Sequence, residues 1–561
     1  MFATIPSAFQ PSSSTPTATP RKLPPQTPVR FPQCAPTADE KPRGSSNGLQ
    51  KPLVPLLQTI QRPADIKLDH FEALGLHVIS DSKPEDIIPE PSYLPPIKAW
   101  NAIESDNLQE ANDATRRPLC NGNISPGVQT YRERQDELRI DNTAAFRSIR
   151  RIPPPTGESA ARLGHAFEFF KNLEFFSGFW DDTSLPPRKE EPEATSSENP
   201  LPSSEDGEKG TDEIDLFSKE DPVPAHLSTH QRTGNGAQLP PEYRQHLLTS
   251  FVKLVAYDFG CNVSLPRSEP RLYLTPPSPS KPTSHFNSSA TFIFRTPTDR
   301  SSARGGIVEG PVASISCRTS TVFATEAESR LDLAREVVAV LLTAQHRSRS
   351  GRTEKRFGEN AWWATKPRWG GGPGGPIGRE AEKSDEPSST TKLASAVEEA
   401  TPPAVSEPLR SIAAETKRMF GINASLPGKR AKRLKEGNMQ IYENYRKMLP
   451  PSATWDRRTR YMPIGKPVPS QGYDDIFLVS AINHHVSIIR VRVPEALLEV
   501  LEGGTREWER VVMWRSKWYD LFLAEERVEA MQIVWGMMAY QMRKIEGPAV
   551  EAGEGEKMDT T

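Results

Sequence analysis

Residues 475–493 read DIFLVSAINHHVSIIRVRV. Asp475 to Ala481 and Val486 to Val493 are two β-rich runs on either side of Asn483-His484, which is the composition of a strand pair closed by a short turn. Pro494 follows at the favoured first position of a helix. Strand pairing next to a helix start sets the fold class as α+β, and the neighbouring segments point the same way in both directions.

C-terminal to the pair, Trp508, Val511, Val512, Trp518, Tyr519 and Phe522, then Val528, Met531, Val534, Trp535 and Met538, make two apolar stripes around Ala524-Glu525. They predict a helical hairpin or one bent helix. N-terminal to the pair, Ser411 to Phe420 and Met439 to Met448 have helical periodicity, so residues 406–546 are expected to form a helix-rich α+β unit, followed by a polar tail at 547–561. Residues 381–405 read as a linker. A second unit is expected over 239–380. It opens with a helix entered by Pro240-Pro241, continues through three strand-like runs (Arg271 to Leu274, Ala290 to Arg295, Val312 to Arg318), and reaches a strong helix over Glu326 to Gln345 before a basic, Trp-rich end.

Before that unit, Leu163, Ala166, Phe167, Phe170, Leu173 and Phe176 recur at helical spacing, predicting an amphipathic helix over 156–181. Burying each large aromatic is worth roughly 1.5 to 3 kcal/mol, so this face must dock on something. Phe167, Phe170, Leu173 and Phe176 are the candidate partner-binding set if it does not join the middle unit. Residues 182–238 are acidic and polar, a linker or insertion. Residues 1–145 alternate Pro/Ser/Thr tracts with short apolar islands and are expected to be disordered.

Composition supports long unfolded stretches. The chain has 55 prolines in 561 residues and 35% hydrophobic residues. That proline content is roughly twice average usage. The 70 Lys+Arg against 72 Asp+Glu leave no whole-chain preference for nucleic acid or membrane, so any such preference must be local. The four cysteines, Cys34, Cys120, Cys261 and Cys317, are far apart in sequence and form no CxxC pattern, which points to a reducing compartment. The longest apolar run, Val337 to Leu342, is too short for a bilayer span. A soluble protein of the nucleus or cytoplasm is expected. Mitochondrial import is the weaker alternative, because prolines at 6, 11, 16 and 20 interrupt the basic N-terminus.

Several enzyme classes lack their residues. Asp258-Phe259-Gly260 stands without a Gly-rich phosphate loop or a catalytic loop, and reads as a helix ending at glycine. Gly370 to Gly378 has no GK[ST]. There is no GxSxG elbow and no HExxH pair. His484-His485 are adjacent, and neighbouring strand residues point to opposite faces, so they are expected to be turn histidines and not a metal pair. No catalytic residue, metal or cofactor is expected.

Binding features are more numerous. Helix, three strands, helix between about 240 and 345 is an order that resembles double-stranded-RNA-binding domains, although here the second helix opens with Glu326, Glu328 and Asp332, which would repel phosphate. Arg347, Arg349, Arg352, Lys355 and Arg356, followed by Trp362, Trp363, Lys366, Arg368 and Trp369, set cations beside rings, a mixture that suits single-stranded nucleic acid. Lys429, Arg430, Lys432, Arg433 and Lys435 resemble a nuclear localisation signal. Thr19, Thr27 and Ser278 each precede proline with a base three residues on, as proline-directed kinases prefer. The leading expectation is a non-enzymatic, phosphorylation-regulated interaction or scaffold protein with protein partners. Nucleic-acid binding through 347–369 is the alternative and an enzyme of unrecognised type the third.

Overall fold

The computed structural model describes residues 25–40, 43, 52–185, 232–264, 271–299, 307–318, 322–348, 460–462 and 471–545. The helices are α1 (Leu53–Leu57), α2 (Leu68–Leu74), α3 (Pro84–Ile87), α4 (Ile97–Asn101), α5 (Leu108–Thr115), α6 (Val128–Arg139), α7 (Asn142–Arg150), α8 (Phe167–Ser177), α9 (Pro241–Ala256), α10 (Glu326–Ser348), α11 (Glu495–Leu501) and α12 (Ala524–Gln541). The strands are β1 (Leu76–Ile79), β2 (Asn262–Ser264), β3 (Arg271–Leu274), β4 (Ser284–Asn287), β5 (Thr291–Arg295), β6 (Ile307–Arg318), β7 (Arg460–Met462), β8 (Tyr473–Ile482), β9 (His485–Pro494), β10 (Val511–Arg515) and β11 (Tyr519–Asp520).

The protein is α+β. A mixed sheet runs in the order β1-β10-β9-β8-β6-β5-β2, with β11 on β9 and β7 on β6, and β3–β4 form a separate ribbon. The β8–β9 hairpin predicted from sequence is its centre, in antiparallel register from Tyr473↔Pro494 to Ile482↔His485. These strands are apolar on both faces because both faces are covered. Phe477, Val479 and Ile488 join one core with α6, α7, α8, α9 and α12. Ile476, Leu478, Ile489 and Val491 join a second core with α1, α2, α10 and α11.

Residues 52–145, expected to be disordered, instead fold into α1 to α6, β1 and the start of α7. Their apolar islands are short, but each is buried against the larger body, as Phe71, Leu74 and Leu76 are in the second core. Prolines that suggest disorder in the sequence sit where a helical turn tolerates them, at the starts of α3 and of the 3-10 turns Pro63–Asp65 and Pro91–Tyr93. Gly75 closes α2 in the left-handed region at φ 73 and turns the chain directly into β1.

Three further expectations change. The stripe at 508–522 is not helical: Val511–Arg515 is β10, parallel to β1 and antiparallel to β9, and Tyr519–Asp520 is β11. Val-Val-Met-Trp is β-branched and aromatic, and its strand neighbours override the helical spacing. Second, the sequence separates 239–380 from 406–546, yet β6 and β8 lie side by side from Ser314↔Leu478 to Arg318↔Ile482, so one sheet draws on both stretches. Third, Pro494 is the N-cap of α11 and not its first residue. The helices expected at 411–420 and 439–448 lie outside the described residues.

The Phe-rich helix is α8, and it docks on α9, with Phe169 against Phe251 at 5.8 Å and Phe175 stacked on Tyr243 at 3.9 Å. Phe170, Leu173 and Phe176 are fully buried, whereas Phe167 is 45% exposed. The helix is therefore part of the first core, and its apolar face is already covered.

Residues 25–40 run as an extended strap across the molecule. Thr27 Oγ1 accepts from Gly236 N at 2.7 Å, Phe31 stacks on Trp518 at 5.1 Å, and Val78 N donates to Pro36 O at 2.9 Å. On the side of the second core, α10 is tied to the sheet by buried charges. Arg318 on β6 is bidentate to Asp332 at 2.7 and 3.0 Å and also reaches Glu336. Glu336 in turn accepts from Ser480 Oγ on β8 at 2.7 Å and from Arg515 on β10.

Candidate nucleic-acid interface

Alternation along β9 places Arg490 and Arg492 on the same face of the sheet, with Ile489 and Val491 turned into the second core. Register then selects their neighbours. Trp514 on β10 lies directly opposite Arg490, and Asp475 on β8 directly opposite Arg492. The Arg490 guanidinium stacks 3.7 Å from the Trp514 ring centroid, and Arg492 lies 4.3 Å from the Tyr473 ring and 5.6 Å from Trp514. These are cation–π distances.

The pattern continues beyond the strands. Tyr540, in the last turn of α12, approaches Asp475 through its hydroxyl at 3.4 Å and carries Arg543 over its ring at 3.7 Å. Tyr93 meets Tyr540 edge-on at 5.8 Å, and Arg117 covers Tyr93 at 4.9 Å. Two groups of guanidiniums and rings, Arg117–Tyr93–Tyr540–Arg543 and Arg490–Arg492–Tyr473–Trp514, thus meet at the Asp475 carboxylate. Arg492, Trp514, Tyr473, Arg543 and Tyr93 are half-buried and Arg117 is exposed, whereas Arg490 and Tyr540 are buried beneath them.

Charge along this run is unbalanced. Arg490 and Arg492 share Asp475 at 3.8 and 3.9 Å, too long for hydrogen bonds. Their Nε atoms and Asp475 Oδ1 are buried without a hydrogen-bond partner among the described residues. Burial pushes the Asp475 carboxyl up, partly offset by Arg490 and Arg492 and, more weakly, by Arg543. Burial also depresses the Arg490 guanidinium; Asp475 opposes that and Arg492 adds to it. Two arginines therefore share the Asp475 carboxylate with their Nε donors unspent, beside rings and planar cations on which bases could stack.

The residues singled out from sequence fall elsewhere. Arg347 is buried, paired with Asp474 at 2.7 Å and donating to Pro311 O at 2.9 Å, so its charge is spent inside the fold. The rest of that set, Arg349, Arg352, Lys355, Arg356, Trp362, Trp363, Lys366, Arg368 and Trp369, lies outside the described residues, as do Lys429, Arg430, Lys432, Arg433, Lys435 and Thr19. Thr27 is half-buried in the strap, and Ser278 is exposed, its hydroxyl 2.7 Å from that of Ser280. Asp258 forms a bidentate pair with Arg134 at 2.9 Å. Cys34 and Cys120 lie in ordered segments, half-buried and exposed respectively.

Sequence reasoning misses Arg490 and Arg492 because an Arg-Val-Arg alternation marks any half-exposed strand. What distinguishes them comes from Trp514, Tyr540 and Tyr93, remote in the chain. The separation expected of the two histidines is also corrected. His484 belongs to the two-residue turn and not to β9, so strand alternation does not separate it from His485, and their rings lie 4.2 Å apart. With Asp520 they form, among the described residues, a group close enough to hold a metal ion. No described helix is long and apolar enough to cross a membrane.

Comparisons with protein-family models, curated proteins and solved structures found no match to this chain.

Proposed function

We propose that the protein is a non-enzymatic binder of single-stranded nucleic acid, which it holds on the accessible parts of Arg117, Tyr93, Arg543, Arg492, Tyr473 and Trp514, with Arg490 and Tyr540 supporting them from beneath. The observation that carries this reading is the grouping of guanidiniums against rings on either side of Asp475, with Arg492 over Tyr473 at 4.3 Å and Arg490 over Trp514 at 3.7 Å. Arginine planes and aromatic faces stack bases without reading sequence, and spare guanidinium donors meet the backbone. Of the candidate partner-binding set on the Phe-rich helix, Phe170, Leu173 and Phe176 are buried in the first core, which leaves Phe167 as its accessible member.

Salt dependence tests the proposal. With the full chain and a fluorescein-labelled oligouridylate, anisotropy titrations at several salt concentrations should give a log–log slope of about −0.7 per phosphate neutralised. Arg492→Ala and Arg543→Ala should each reduce that slope by about 0.7 and weaken binding. Trp514→Leu should cost about 1 to 3 kcal/mol through lost stacking. A parallel variant with alanine at Arg349, Arg352, Lys355 and Arg356 measures what the 347–369 segment adds. Absent or salt-independent binding by the wild-type chain refutes the proposal, as does binding that only the parallel variant weakens.

A further inference from the structure

We propose that His484, His485 and Asp520 form a three-ligand site for a divalent transition metal of the zinc class, tying the β8–β9 turn to β11. This inference is independent of the nucleic-acid reading.

Backbone pairing builds the site. Asn483 takes a left-handed φ of 54 and begins the tight turn that lets both imidazoles converge. Asp520 is the register partner of His485 across the β11–β9 pair, and Leu521 N donates to His484 O at 3.0 Å, which clamps the turn against β11. Asp520 Oδ1 lies 3.9 Å from His484 Nε2, and Oδ2 lies 3.7 Å from His485 Nε2. One ligand atom from each residue falls within 4.8 Å of the others. A tetrahedral zinc with bonds near 2.0 to 2.2 Å needs ligand atoms separated by about 3.3 to 3.5 Å, so rotation of two rings by about an ångström closes the set.

The donors are prepared for a cation. His484 is 2% exposed, and Nε2 of each ring is the nitrogen that faces Asp520. The carboxylate is oriented from behind, since Asp520 Oδ2 accepts from Thr183 Oγ1 at 2.7 Å and Oδ1 from Phe522 N at 2.9 Å. Such supporting bonds hold a ligand in its coordinating pose. Glu526, which takes Asp520 N–H at 2.6 Å, adds the second negative charge that balances a dication.

The surroundings are aromatic. Trp180 and Phe522 lie 5.7 and 5.0 Å from the His484 ring, and Phe31 of the strap lies 5.0 Å edge-on to His485. Two imidazoles and a carboxylate suit zinc and leave a fourth position for water or an outside ligand.

The test uses the full chain, stripped with chelator and dialysed, then titrated with Zn2+ against a chromophoric competitor. One tight equivalent is expected, and Asp520→Asn and His485→Gln should each abolish it. Thr183→Val should weaken it about 10- to 100-fold by freeing the carboxylate. Co2+ bound to the wild-type chain should give visible bands of tetrahedral nitrogen and oxygen coordination without thiolate charge transfer, a readout that holds even if a variant fails to fold. No uptake by the wild-type chain, unchanged affinity in both ligand variants with native circular dichroism, or a thiolate band from cysteine-bound metal would overturn the assignment.

Discussion

Changing Glu336 to glutamine should be among the most destabilising single-atom substitutions in this protein. Glu336 is fully buried on α10, and its two oxygens serve three strands: β6 through Arg318, β8 through Ser480 and β10 through Arg515. The charge count is close, with the guanidiniums of Arg318 and Arg515 facing the carboxylates of Asp332 and Glu336, and Arg335 adding a contact to Asp332 at 3.6 Å. Burial alone would pull the Arg318 guanidinium down, but Asp332 and Glu336 more than compensate and hold it above its ordinary value. Glutamine keeps the shape and removes one charge, which leaves a single carboxylate for two buried cations. Breaking a buried pair from one side costs roughly 3 to 5 kcal/mol, a third or more of the stability of a marginal fold. Urea unfolding followed by both tryptophan fluorescence and far-UV circular dichroism would measure the loss and check that the two probes coincide. Replacing Arg318, Asp332, Glu336 and Arg515 together by methionine and leucine removes both signs at once and should recover most of it. A loss below about 1 kcal/mol for Glu336→Gln, the size of an exposed ion pair, would refute the view that this network is desolvated and mutually dependent.

Two further expectations concern the cores. Phe170→Ala should cost about 3 to 5 kcal/mol and Phe167→Ala under about 0.5, although the two lie on the same helix, because only Phe170 is buried; equal thermal shifts would mean that α8 does not dock as described. His285 on β4 has its pKa pushed down to about 4, first by burial and then by Arg271. The folded state therefore favours the neutral ring, and the unfolded chain takes up the proton near pH 6.5, so stability falls between pH 6.5 and 4 and by about 3 kcal/mol in all. His285→Phe should lose correspondingly less than wild type on acidification, and identical pH profiles would show that the ring is solvated.

The elements legible in the sequence are those with long, strict periodicity. α8, α9, α10 and α12 repeat apolar residues over several turns, and β8–β9 announces itself through two β-branched runs around Asn483. What composition obscures is the region of α1 to α5, where the helices run from four to eight residues and most begin beside prolines. Such segments are stable only through tertiary contact, and a single-sequence reading sees their proline before their burial. Val511 to Trp514 is ambiguous because a five-residue strand is too short to establish its own period. The sites divide in the same way. Arg490 and Arg492 are visible as an alternation, but Trp514, Tyr473 and Tyr540 become their neighbours only through register and helix packing. The paired histidines are visible too, and strand alternation fails for them at one residue, since His484 lies in the turn.

The place of β1 at one edge of the sheet bears on how the chain is made. Leu74 O accepts the Trp508 indole N–H across 434 residues of sequence, and β1 itself pairs with β10. At 5 to 20 residues per second, a ribosome needs roughly 20 to 90 s to travel between these partners. For that interval α1, α2 and β1 have emerged without the strand they pair with, and the phenylalanines of α8 wait for Met531 and Val534 of the last helix to complete their core. Nascent chains arrested before residue 511 should therefore recruit chaperones and be cut readily by protease, and full-length chains should not.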